Sequence, residues 1–148
     1  MEQRYLILVD EQSQEDRLKR IARNLRNEGI LLVYEEINPN ECSVRKDNGD
    51  LSLDKVALKN KLASVSFLSH LDVFATDYNL VTDELKGIDM IEMLYSLRPH
   101  YRKQVVIYSA QIDEVIDDII IKRAKGFKQQ VEILKILAQN DIHYLRGE

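Results

Sequence analysis

Three apolar runs in this chain each end at a side chain that carries oxygen. The runs and the side chains that follow them are 5–9 with Asp10 and Glu11, 73–76 with Asp77, and 105–108 with Ser109. Short apolar runs that alternate with segments of helical period are typical of a parallel sheet with helical crossovers. Ligands of such sheets bind beyond the carboxyl ends of the strands, where the strand order reverses. The sequence therefore predicts that the three endings share one pocket.

The segments between these runs complete an alternating pattern of strands and helices. The first helix is predicted to stop at Gly29, which suits the left-handed conformation at a helix end. Residues 30–34 are aliphatic and β-branched, and we expect them to form the second strand. Further helices are predicted to follow Asp54 and to end before Pro99.

Two regions depart from this alternation. Residues 38–52 contain an Asn-Gly pair, which predicts a small hairpin inserted after the second strand. After Ala110 the chain continues in two amphipathic segments separated by Gly126, and the second covers 127–137. We therefore expect an extended helical region after the fourth strand, and a fifth strand at 142–145.

Composition limits the classes of function. A chain of 148 residues that is 45% hydrophobic is expected to form one domain, 1–148, with its own core. The net charge is −4 without a basic block, so nucleic-acid binding is not expected. A lone Cys42 cannot form an internal disulfide, and no apolar run is long enough to span a membrane. These features favour a cytoplasmic protein without a membrane partner.

Clustered carboxylates require a chemical explanation, because like charges raise one another's pKa unless a cation lies among them. Mg²⁺ prefers hard oxygen ligands and is typically held by one or two carboxylates together with water. Asp10, Glu11 and Asp77 are therefore candidate ligands for Mg²⁺. A carboxylate in such a place can also act as a nucleophile toward a phosphoryl group. The alternative for each residue is an ordinary polar strand end or turn.

The order and placement of these residues resemble receiver domains of response regulators in two-component signalling. The resemblance covers nearly the whole chain and lies in the stretches 7–11, 73–80, 87–91 and 106–110. It implies a doubly wound, flavodoxin-like α/β fold with a five-stranded parallel sheet of strand order 2-1-3-4-5. The hairpin insertion would then account for the long separation between Glu11 and Asp77.

The resemblance also implies a role for each residue. Asp77 would accept a phosphoryl group from a histidine kinase or phosphotransfer protein, and Ser109, followed by Ala110, would contact that group. Ser109 and Tyr144 would act as the switch pair. The implied magnesium ligands are Asp10, Glu11, Asp77 and the backbone carbonyl of Asn79.

The lysine that receivers carry at the end of the fifth strand has no obvious counterpart. If Tyr144 is the mobile aromatic residue of the family, the lysine position falls on Gly147. If Arg146 takes the role of the lysine, His143 stands at the switch position. Lys128 is a third candidate. The loop 78–84 also lacks the proline that is common in relatives.

Two functions remain open at this point. In the first, phosphorylation switches a face that a downstream protein or output domain recognises, and the domain catalyses only its own phosphorylation and dephosphorylation. In the second, it is a pseudo-receiver that binds a partner without phosphorylation. A phosphatase is a more remote option, because Asn79 replaces the carboxylate common two residues after such a nucleophile. The isoleucines of 112–121 either are buried or pair with a second copy of the chain, and 1–148 can be the first part of a longer protein.

Overall fold

The computed structural model describes residues 2–80 and 85–135, which form a three-layer α/β domain. Seven strands and four α-helices lie in these ranges. In chain order they are β1 Glu2–Val9, α1 Glu15–Asn27, β2 Ile30–Ile37, β3 Ser43–Arg45, β4 Leu51–Leu53, α2 Lys55–Ala63, β5 Val73–Asp77, α3 Gly87–Leu97, β6 Gln104–Tyr108, α4 Ile112–Ala124 and β7 Glu132–Leu134.

Five of the strands form one parallel sheet in the order β2-β1-β5-β6-β7. With the short hairpin β3-β4 set aside, this is the predicted order 2-1-3-4-5, so the predicted fold class is confirmed. The chain runs outward from β1 to β2, then crosses to the other side of β1 and continues through β5, β6 and β7. The reversal therefore lies between β1 and β5, where the acidic residues were predicted to meet.

Helices cover both faces of the sheet. On one face, α1 packs its Leu18, Ile21 and Leu25 against the sheet residues Leu6 and Leu8. On the other face, α2, α3 and α4 contribute to a larger core around Ile7, Val9, Phe74 and Ile107. Strands buried on both faces read as continuous apolar runs, which explains the runs seen in the sequence.

The inserted hairpin is present where the sequence predicted it. Strands β3 and β4 pair antiparallel, and their turn closes with a hydrogen bond from Lys46 N to Asp50 O of 2.7 Å. Gly49 has a φ of +88°, a conformation that glycine adopts without the steric cost of a side chain. The hairpin lies outside the five-stranded sheet and does not change its order.

The region after β6 corrects two predictions. A single helix, α4, ends at Ala124, and the predicted helix over 127–137 is wrong because β7 at Glu132–Leu134 pairs with β6. The fifth strand of the sheet is therefore β7, and the predicted strand at 142–145 lies outside the described residues. Apolar residues at spacings of three and four indicated a helix here, but a three-residue strand is too short to show a period of its own.

Candidate functional site

The sheet register brings the acidic residues to one edge. Val9 pairs with Thr76, so that Asp10 and Asp77 follow at the same level, and Asp77 itself pairs with Tyr108 on β6. Asp10 extends β1 by one hydrogen bond, from its N–H to Ile37 O at 3.1 Å. The carboxyl ends of three neighbouring strands thus carry Asp10, Asp77 and Tyr108 in one row.

Asp10 is buried, and both of its carboxylate oxygens are hydrogen-bonded. Its Oδ1 accepts from Gln12 N at 2.9 Å. Its Oδ2 accepts from Gln14 Nε2 at 3.1 Å and from the hydroxyl of Tyr108 at 2.6 Å. Burial and the charge of Asp10 raise the pKa of Tyr108, so the phenol keeps its proton and donates it. The carboxylate of Asp10 is therefore held in one orientation by three donors.

Glu11 is less well satisfied. Its Oε1 is buried and, within the described ranges, accepts no hydrogen bond. Burial, and then the neighbouring charge of Asp10, raise the pKa of Glu11 above its usual value. The backbone around it is fixed, because Asn38 Nδ2 donates to Glu11 O at 3.2 Å. A buried acceptor without a partner costs free energy, so it is a candidate position for a ligand.

Asp77 has the most perturbed carboxylate of the site. Burial, followed by the charge of Asp10, raises its pKa to about 6, and the charge of Glu11 adds to the shift. A hydrogen bond from Asn79 N to Asp77 Oδ1 at 3.2 Å opposes the shift. Three carboxylates therefore interact electrostatically at this edge, and strongly perturbed carboxylates of this kind are concentrated at functional sites.

The segment after Asp77 is anchored on α3 and α4. Gly87 N donates to Tyr78 O at 2.8 Å, and Asn79 forms a bridge with Lys86. A Cβ on Gly87 would lie 2.5 Å from the backbone oxygen of Asp77, so only glycine fits there. The hydroxyl of Tyr78 donates to Asp118 on α4 at 2.7 Å. The backbone next to Asp77 is thereby placed by two helices.

Ser109 occupies the next level of the same edge. It is buried, its Oγ accepts from Gln111 N at 3.0 Å, and its N–H donates to Leu134 O at 2.9 Å. Ala110, which follows it, is exposed. The bond to Leu134 places the end of β7 beside Ser109.

Sequence reasoning missed Lys135. This exposed residue directly follows β7 and therefore stands at the carboxyl end of the fifth strand of the sheet. Lys128 precedes β7 and lies toward the opposite end. Arg146 and Tyr144, with His143, Gly147 and the loop residues 81–84, lie outside the described residues. The signal for Lys135 was an aliphatic pair, Ile133-Leu134, followed directly by a lysine.

Tyr108 was also missed as a member of the site. In the sequence it is only the last residue of a buried strand, and its partner Asp10 lies 98 positions away. The pairing of β6 with β5, and of β5 with β1, brings the two together.

The donor set of the edge suits a hard divalent cation. Two half-buried carboxylates, Glu11 and Asp77, lie beside Asp10, and one buried oxygen of Glu11 has no partner among the described residues. No group of three or more His, Cys, Asp or Glu side chains in residues 2–80 and 85–135 has the arrangement of a preformed metal site. Mg²⁺ commonly uses only one or two carboxylates and keeps several waters, so these residues fit it.

Comparisons with known proteins support the fold. No protein-family model and no curated protein matches this sequence. Among solved structures, the chain is similar to a response regulator receiver protein from Sinorhizobium medicae WSM419, with a TM-score of 0.50 and 12% sequence identity. The match covers 99% of this chain and 93% of that protein. The chain therefore has the receiver fold, in a divergent sequence.

No helix within the described ranges is long and apolar enough to cross a membrane.

Proposed function

We propose that this domain is a phosphorylatable signalling receiver in which Asp77 accepts a phosphoryl group. The observation that carries the proposal is the meeting of Asp77, Asp10 and Glu11 at the carboxyl edge of a receiver-type sheet, with one buried carboxylate oxygen unpartnered among the described residues. The donor would be a phosphohistidine of a cytoplasmic histidine kinase or phosphotransfer protein. A carboxylate oxygen of Asp77 attacks phosphorus, the P–N bond breaks, and the imidazole leaves with the bonding electron pair and takes up a proton.

The reaction would depend on Mg²⁺. The residues that would hold the ion are Asp10, Glu11, Asp77 and the backbone carbonyl of Asn79. When bound, Mg²⁺ neutralises charge on the carboxylates and on the oxygens of the transferred group. The raised pKa of Asp77, about 6, reflects in part the repulsion that a cation would relieve.

Ser109 and Lys135 would contact the transferred group. The Ser109 Oγ accepts a hydrogen bond from Gln111 N, which leaves its own proton available to a phosphoryl oxygen. Lys135 directly follows β7, and receivers carry their lysine at the end of the fifth strand, so in this proposal Lys135 replaces Arg146 in that role. Both residues lie at the ends of β6 and β7, in the row beyond Asp77.

The output would be a changed protein surface and not a released product. The added charge at Asp77 would pull Ser109 toward it and shift the segment that leads into α4. A downstream protein or a linked output domain would recognise the changed face. In this proposal the domain turns over no substrate other than its own phosphoryl group.

Incubation with acetyl phosphate followed by intact-mass spectrometry tests the proposal. We expect one phosphoryl adduct in the presence of Mg²⁺, and none when EDTA replaces the metal. Asp77→Ala is the control and is expected to remain unmodified. A folded wild-type protein that gains no adduct would contradict the proposal.

One observation favours a second candidate, a pseudo-receiver that binds partners without phosphorylation. With Lys135 as the lysine, the position three residues before it, where the family carries its mobile aromatic residue, is Glu132. A glutamate cannot move into an apolar pocket as an aromatic ring does, because burying its charge costs several kcal/mol. An adduct on Asp77 that leaves partner binding unchanged would favour this second candidate.

A further inference from the structure

Tyr108 makes a contact for which the proposed phosphorylation supplies no role. It ends β6, and its hydroxyl reaches across β5 to Asp10 at the end of β1, at 2.6 Å. Both residues are buried, with 7% of Tyr108 and 8% of Asp10 exposed. A short hydrogen bond from a buried phenol to a buried carboxylate is strong and holds both groups in place.

We propose that Tyr108 is a positioning residue for the metal site, because it fixes the Asp10 carboxylate and thereby strengthens binding of a divalent cation by Asp10, Glu11 and Asp77. The inference rests on the proposed function and identifies a residue outside the set predicted from the sequence. Groups that hold a carboxylate next to a metal typically change metal affinity by about 10- to 100-fold when they are removed.

The geometry divides the acidic pair into two roles. Asp10 accepts hydrogen bonds from Gln12 N, Gln14 Nε2 and the Tyr108 hydroxyl, which are all groups of the chain itself. Glu11, in contrast, has a buried oxygen with no partner in the part of the chain that the structure describes. Asp10 therefore brings to the site a carboxylate that is already fixed in one orientation, and Glu11 brings an oxygen that is open to a ligand.

Loss of the Tyr108 hydroxyl would leave the Asp10 carboxylate less firmly held. Asp10 Oδ2 would keep the hydrogen bond from Gln14 but lose the shorter one, so the carboxylate could rotate away from the cation. A phenylalanine at 108 would keep the apolar contacts of the ring with the core on the α1 face. The substitution Tyr108→Phe thus removes the hydrogen bond and leaves the packing in place.

Tyr101→Phe is a matched control at the opposite end of the same strand. Tyr101 is 1% exposed, and its hydroxyl donates at 2.8 Å to the backbone oxygen of Gln104, the first residue of β6. Each substitution removes one buried phenol hydroxyl and its one hydrogen bond, so Tyr101→Phe controls for the loss of such a hydroxyl at this strand. Of the two tyrosines, only Tyr108 touches the acidic edge.

Calorimetric titration with Mg²⁺ alone, without a phosphoryl donor, tests the proposal. We expect the Kd for Mg²⁺ to rise at least about tenfold in Tyr108→Phe and to stay at the wild-type value in Tyr101→Phe. The same Kd in wild type and Tyr108→Phe would overturn the role of Tyr108 and leave the proposed function standing. Absence of Mg²⁺ binding to the wild type would overturn the magnesium-dependent function and the role of Tyr108 with it.

A second pair of variants tests the same carboxylate, that of Asp10, through its hydrogen bonds with Gln12 and Gln14. Gln14 contacts Asp10 through its side chain, whereas Gln12 does so through its backbone N–H. We expect Gln14→Ala to weaken Mg²⁺ binding in the same direction by a few-fold, and Gln12→Ala to leave it unchanged. If Tyr108→Phe does not fold, this pair decides, and equal affinities for the two would overturn the proposal.

Discussion

The carboxylates at the two ends of the parallel sheet have opposite electrostatic surroundings. At the amino end, Asp72 accepts from Tyr5 N at 2.9 Å and pairs with Lys103 at 2.7 Å, so both of its oxygens have partners. At the carboxyl end, Asp77 lies beside the charges of Asp10 and Glu11, and its pKa rises to about 6. The comparison teaches that a cation neutralises Asp72 within the fold, whereas the charge of Asp77 is opposed by its carboxylate neighbours, an arrangement concentrated at functional sites.

The largest effect is expected from the substitution Gly87→Ala. It adds a methyl group that crowds the backbone at the carboxyl end of the sheet. Because the added Cβ would lie 2.5 Å from Asp77 O, the backbone must shift. We expect Gly87→Ala to lower the free energy of unfolding by about 2–3 kcal/mol, measured by urea denaturation.

Gly29→Ala provides the control for that substitution. Gly29 has a φ of +83°, but a Cβ added there would meet no atom within 4 Å beyond the two neighbouring residues, so only backbone strain of about 1 kcal/mol is expected. Equal losses for the two variants would contradict the crowding at the acidic end.

Substituting the two lysines that flank β7 tests which end of the sheet takes part in phosphorylation. Lys135 follows the strand at the acidic end, and Lys128 precedes it. Since hydrogen bonds to charged groups contribute about 1.5–3 kcal/mol, we expect Lys135→Ala to slow phosphorylation by acetyl phosphate by about tenfold or more. Lys128→Ala should react at the wild-type rate. Equal rates for both variants would remove Lys135 from the site.

Neutralising one aspartate at each end should shift stability in opposite directions. At pH 7.5, Asp77→Asn is expected to raise the free energy of unfolding by about 1 kcal/mol, after allowance for solvent screening, because it removes an ionised group from a repulsive site. Asp72→Asn is expected to lower it by about 1 kcal/mol, since it breaks the ion pair with Lys103. Thermal or urea unfolding without divalent cations measures both.

The pH dependence gives the sign of the Asp77 effect. The pKa of Asp77 in the folded state, about 6, lies above its ordinary value of 3.8, so the folded protein binds this proton more tightly than the unfolded chain. The resulting stability is fully present below pH 3.8 and is lost as the pH rises through 6. The gain in the free energy of unfolding from Asp77→Asn should therefore vanish as the pH falls toward 3.8. An advantage that is constant across the window would contradict the repulsion.

The sequence was sufficient to predict the strand order, the inserted hairpin and the acidic edge. Apolar runs indicate strands that are buried on both faces of a sheet. The register of the parallel sheet then brings Asp10 and Asp77 together. Strand β7 could not be recognised from the sequence, because three residues are too few to show the alternation typical of a strand. Its position depends on pairing with β6, which no local pattern contains. Lys135 was missed for the same reason. The contact of Tyr108 with Asp10 depends on three strands at once, and no local pattern contains it.

The central claim is that Asp77 is the residue that accepts the phosphoryl group, and chemical trapping tests it most directly. Sodium borohydride reduces an aspartyl phosphate to homoserine, so peptide mass spectrometry after treatment with acetyl phosphate and Mg²⁺ identifies the modified position. We predict homoserine at position 77, and none when Mg²⁺ is replaced by EDTA. Homoserine at position 10, or the corresponding reduced residue at position 11, or an unmodified Asp77 in the folded protein, would contradict the account.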